Sequence, residues 1–94
     1  MLMIQPDPII VETVDRLLGE QCSADVINAA EDGQWPASLW QSLEDAGATQ
    51  AWVPEAAGGG GASIADGFAI TRLAGKHAVP VPLAETLLAG YLLA

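Results

Sequence analysis

Positive charge is nearly absent from this chain. Twelve acidic residues stand against three basic ones in 94 residues, leaving a net charge of −9. A nucleic-acid binder needs a basic footprint, and Arg16, Arg72 and Lys76 do not make one, so nucleic acid is excluded as a partner. Cysteine is equally scarce. Cys22 stands alone, which excludes an internal disulfide and fits a reducing compartment. Long hydrophobic runs are missing too. The most apolar stretch, Leu83–Ala94, is about half the length of a membrane span and contains Glu85, so no membrane crossing is expected. The opening MLMIQPDPII has no basic n-region and is interrupted by Pro6 and Pro8, a poor signal peptide. The expected location is the cytoplasm.

What is present is apolar and helix-favouring. Hydrophobic residues make up 51% of the chain and charged residues only 16%, a surplus that points to a face meant for a partner. Alanine and leucine dominate and β-branched residues are few, which favours helix. The length fits one domain with a modest core. Residues 1–47 carry nine acids and one base, whereas residues 48–94 carry three acids and two bases. The first half is therefore expected to face solvent.

The spacing predicts a small all-α bundle of about five helices with a glycine-rich loop. Asp7 and Pro8 open the first helix, with Ile10, Val14, Leu17 and Leu18 on its apolar stripe. Ser23 caps a second, short helix bearing Val26, Ile27 and Ala30, and Gly33 ends it. Pro36 starts a third, with Leu39, Trp40, Leu43 and Ala46 on one side and Gly47 at its left-handed end. Ala51–Val53 reads as a short extended piece before Pro54. Ser63 and Asp66 form an S-x-x-D capping signature for a fourth helix, with Ala65, Phe68, Ala69, Arg72 and Leu73 along its stripe. Val79–Pro82 breaks it, and a fifth helix begins near Pro82. That helix is apolar nearly all round, the pattern of one buried on every side. It reads as cut in mid-helix at Ala94.

The candidate sites are thin. Gly58–Gly61 precede a helix, as phosphate loops do, but no lysine follows until Lys76, and Ser63 occupies the third glycine position of a dinucleotide fingerprint. A sharp change of chain direction is the better reading. His77 is the only histidine and has no nucleophile beside it in sequence, so a helix-end role is expected. Glu31-Asp32 and Glu44-Asp45 are adjacent pairs, which point to different faces and suit neither a shared proton nor a metal. Cys22 suits a small core residue. Trp35, Trp40 and Trp52 are expected to pack helix–loop junctions. No complete catalytic set, cofactor-binding set or metal site emerges.

The order of the pieces says more than any one of them. A helix ends in Leu43–Gly47, then come Val53-Pro54-Glu55, the run Gly58–Ser63, Asp66 with a helix, and "PVPLAETLLA" at Pro80–Ala89. This ordered set, across residues 39–94, resembles the N-terminal helical domain of acyl-CoA dehydrogenases; residues 1–38 are similar only in being helical and acidic. The resemblance implies a single domain over 1–94, incomplete at its last helix, belonging to an FAD-dependent enzyme that desaturates the Cα–Cβ bond of an acyl-CoA thioester. It implies that the catalytic base and nearly all flavin contacts lie in a middle β-domain and a C-terminal helical domain, and that this chain alone is inactive. It also implies that Pro80, Ala84, Leu87 and Leu88 wall the acyl pocket. Acyl-CoA and the missing domains or a partner subunit are the expected partners, in a homo- or hetero-oligomer when complete. The alternative is a stand-alone helical interaction module that docks its last helix on a separate subunit.

Overall fold

The computed structural model describes residues 5–93; the signal-peptide question at residues 1–4 and the helix end at Ala94 lie outside them. Five helices follow in order: α1 (Pro8–Gln21), α2 (Ala24–Glu31), α3 (Ala37–Asp45), α4 (Ile64–Lys76) and α5 (Leu83–Leu93). Two 3₁₀ turns, Ala48–Gln50 and Glu55–Ala57, lie between α3 and α4. No strand occurs among the described residues.

Helix starts follow their caps. The Asp7 carboxylate accepts the Ile9 N–H at 2.9 Å, and Ser23 Oγ accepts the Val26 N–H at 3.3 Å. At α4 the capping box is complete, with Ser63 Oγ accepting the Asp66 N–H at 3.1 Å and Asp66 Oδ2 accepting the Ser63 N–H at 3.2 Å. The second oxygen of Asp66 accepts the Asp7 N–H at 2.6 Å, so one carboxylate serves the N-termini of two helices. These backbone donors, led by Asp7, hold the Asp66 carboxyl below its ordinary value, although burial opposes them.

That contact fixes α1 and α4 side by side and pointing the same way. Farther along the pair, Asp15 on α1 meets His77 Nε2 at 2.6 Å and Lys76 Nζ at 3.0 Å. Hydrogen bonds from His77, then Lys76, hold the Asp15 carboxyl below its ordinary value. His77 thus takes the helix-end role that its position suggested, at the C-cap of α4. Between the two polar ties lies the core. Leu18 of α1, Leu39 and Leu43 of α3, Ile70 of α4, and Leu83 and Leu87 of α5 are its largest fully buried side chains. Cys22 packs against the same cluster, half-buried, and burial pushes its thiol up, away from the reactive thiolate.

Four expectations need correction. Ala51–Val53 is not extended; it continues the turn of Ala48–Gln50, because no strand lies beside it and its carbonyls instead accept N–H groups from Gly61 and Ala62. The buried stripe of α4 is Asp66, Ala69, Ile70 and Leu73, with Gly67 beside it, while Phe68 is 62% exposed. α5 is not buried on every side: Leu88, Tyr91, Leu92 and Leu93 face outward, because α4 and the turn at Ala48–Gln50 cover chiefly its inner side. Ala46 and Trp35 are exposed, whereas Trp52 does pack a helix–loop junction.

Two outcomes follow. Gly67→Ala would place a Cβ inside the Trp52 ring and force the ring off α4. A loss of roughly 1–3 kcal/mol in urea unfolding, with a red shift of tryptophan emission, is expected. Asp66 ionises more readily folded than unfolded, so its contribution is present above the ordinary carboxyl value of 3.8 and fades as pH falls below it. Asp66→Asn should lower stability at pH 7 and flatten its decline between about pH 5 and pH 2, read by urea melts across that range.

Candidate functional site

Trp52 organises the face where three aromatic residues converge. Its indole N–H donates to the Ser63 carbonyl at 3.0 Å, and its ring lies against α4 at Gly67, where any Cβ would overlap it. Phe68, one residue on, meets the ring edge-on at a centroid distance of 5.4 Å. Tyr91 of α5 approaches from the other side at 6.2 Å. With Ile64 and Leu88 these residues line an open groove of about 270 Å³. Three of the chain's five aromatic residues therefore share one groove.

The groove is nearly devoid of polar groups. The Trp52 N–H is already engaged, which leaves the Tyr91 hydroxyl as its one free polar side-chain group. Glu55 stands on the adjoining cleft with Pro54 and Gly61. Such a surface can seat a hydrocarbon, a ring or another apolar face; it cannot supply a charged catalytic pair.

The four pocket-wall candidates separate. Leu88 is 51% exposed and lines the groove, whereas Leu87 is 1% exposed and belongs to the core. Ala84 is half-buried on α5, and Pro80 lies half-buried in the turn before the helix. Of Pro80, Ala84 and Leu88, only Ala84 and Leu88 lie on a helix, because α5 begins at Leu83. Reading from spacing missed Trp52, Ile64, Phe68 and Tyr91. The signal was the pairing of a tryptophan with a mid-helix glycine, Gly67, which lets the ring lie on the helix.

The glycine run does not face outward as a phosphate nest. The amides of Gly58, Gly59, Gly60 and Gly61 donate to the carbonyls of Glu55, Pro54, Gln50 and Val53 at 2.9–3.0 Å. Gly59 sits so tightly on Val53 that a side chain there would collide with its backbone. The loop is a backbone-on-backbone turn that carries the chain from the second 3₁₀ turn to Ser63, and its donors are spent on that task. Among the described residues no cluster of histidine, cysteine or carboxylate side chains is placed to hold a metal ion, and no helix is long and apolar enough to cross a membrane.

Known proteins give the same reading as the fold. The family model for the acyl-CoA dehydrogenase N-terminal domain matches residues 8–94. Acyl-CoA dehydrogenase IpdE2 of Mycolicibacterium smegmatis is 33% identical over 90 residues, covering 93% of this chain and 29% of that protein. Acyl-CoA dehydrogenase IpdE2 of Mycobacterium tuberculosis is 36% identical over 81 residues, covering 83% of this chain and 26% of that protein. The chain spans less than a third of the length of these curated relatives. No solved structure gives a significant match. A helical chain matched along almost its whole length by that one domain belongs to the acyl-CoA dehydrogenase family, as its N-terminal domain.

Proposed function

We propose that this chain serves as the N-terminal helical domain of an FAD-dependent dehydrogenase that desaturates the Cα–Cβ bond of an acyl-CoA thioester. The observation that carries the reading is the apolar groove of Trp52, Ile64, Phe68, Leu88 and Tyr91, open on a chain of the right family. Its role is to present an apolar wall to the acyl group, with Leu88 and Ala84 nearest that task and Pro80 setting the turn into α5. Leu87 acts from beneath, holding α5 on the core.

A flavin would supply the hydride acceptor that this chemistry needs, and a carboxylate would be the base for the α-proton. This chain's described residues do not fit the flavin diphosphate: the glycine amides are already engaged and only three basic side chains exist. The base and the cofactor contacts are assigned to the remainder of the enzyme, whose length the relatives indicate. The exposed outer face of α5, including Leu92 and Leu93, then packs on that remainder or on a partner subunit. In this reading the complete enzyme works in the cytoplasm as an oligomer.

Two measurements test it. An antibody against residues 5–40 applied to native cell extract should detect a species much larger than 9.7 kDa that copurifies with flavin absorbance and bleaches on addition of acyl-CoA. A free 9.7 kDa product without flavin would overturn the reading in favour of a stand-alone module. The two neighbouring leucines should also part company. Leu87→Ala should cost about 2–5 kcal/mol in unfolding, whereas Leu88→Ala should stay within roughly 0.5 kcal/mol. In the complete enzyme Leu88→Arg should lower kcat/KM for acyl-CoA by about ten-fold or more, because a charge enters an apolar wall.

A further inference from the structure

A second groove lies at the opposite end of the α1–α4 pair. Asp7 meets Asp66 at the near end, Asp15 meets His77 farther on, and Gln21 lies beyond both. There, Gln21, Val26, Ala29, Gln34, Trp35 and Leu39 line an open depression of about 350 Å³. α2 buries none of its residues, so its apolar side, Val26, Ile27, Ala29 and Ala30, is only partly covered. Trp35 is 56% exposed, yet its ring is held by Trp40 at a centroid distance of 5.6 Å. A large flat surface is therefore fixed in place and left open.

Its electrostatics are one-sided. No lysine or arginine occurs between Arg16 and Arg72. Asp25 on α2 and Asp32, the residue that caps its end, stand four residues before and three after the groove-lining Ala29; both are exposed and flank the depression rather than line it. Glu20 adjoins Gln21 and is exposed as well. α1 ends at the groove with Gln21, and neither α1 nor α2 has a basic residue in its last turn to offset the partial negative charge of a helix C-terminus. The face thus lacks both an apolar cover and a cation.

We propose that this groove is a docking surface for a basic protein segment, one that presents an arginine or lysine beside an apolar side chain. The apolar neighbour covers Val26 and Ala29, and the cation lies over the Trp35 ring between Asp25 and Asp32. Arginine suits the position best, since its planar guanidinium stacks on an aromatic face while pairing with carboxylates. An anionic membrane and nucleic acid are both repelled by the same charges.

The test is fluorescence anisotropy of a labelled nine-residue peptide repeating Leu-Arg-Gly, titrated with the full chain near physiological salt. The Leu-Glu-Gly repeat serves as its counterpart. The arginine peptide should bind and the glutamate peptide should not. Trp35→Ala, and separately Asp25→Lys with Asp32→Lys, should each weaken binding by about ten-fold. Glu44→Lys with Asp45→Lys makes the same change in net charge on α3, and should change it by less than about two-fold. Circular dichroism should show each variant as helical as the parent, and Trp35→Leu replaces Trp35→Ala if the latter loses helix. Failure of the arginine peptide to bind would overturn the proposal. Equal loss from both charge reversals, or full affinity without the Trp35 ring, would overturn it too, leaving net charge alone as the attraction.

Discussion

Asp66 is the point on which the fold turns. A helix N-terminus leaves N–H groups without partners and carries partial positive charge. Here a single carboxylate, 7% exposed, answers two such termini at once, accepting from Ser63 on its own helix and from Asp7 on α1. Burying an unpaired carboxylate would be costly; burying one between two groups of backbone donors is not. The register of α1 on α4 follows from it. With that register set, Val14 and Leu18 join Ile70 and Leu73 in one core, and Asp15 falls opposite Lys76 and His77. The remaining helices pack on the surface that this register defines.

Local chemistry was legible in the sequence, and distant contacts were not. The caps at Asp7, Ser23 and Ser63, and the positive φ of Gly33 and Gly47, need only their immediate neighbours, and each stands where spacing placed it. The face of α4 was misjudged at Phe68 because its orientation depends on Trp52 lying across Gly67, a contact no periodicity encodes. α5 gave no face at all, since leucines and alanines surround it and the pattern has no direction. The groove itself shows the same limit. Leu88 was legible as part of an apolar helix, but Trp52, Ile64, Phe68 and Tyr91 come from three separate segments that only the folded chain brings together.

Polar and apolar tasks are also separated in space. The polar ties, Asp66 to two N-termini and Asp15 to Lys76 and His77, lie along the seam between α1 and α4. The aromatic groove lies on the far flank of α4, against α5. Consequently α5 can present an outer face of Leu88, Tyr91 and Leu92 while its inner residues Leu83 and Leu87 remain fixed. A helix anchored on one side and bare on the other is a rigid apolar surface.

The seam between α1 and α4 also dictates the order of assembly. Its two polar ties join residues 59 and 62 positions apart in sequence. Contacts of that separation must close a long loop before they return any stability, so they form late. During synthesis the first helix leaves the ribosome with its apolar stripe uncovered; α3 can cover part of it, and the rest waits until residues 66–77 have emerged. Its acidic neighbours, Glu12, Asp15 and Glu20, give that interval a physical meaning: like charges keep nascent chains apart while the cover is still being made.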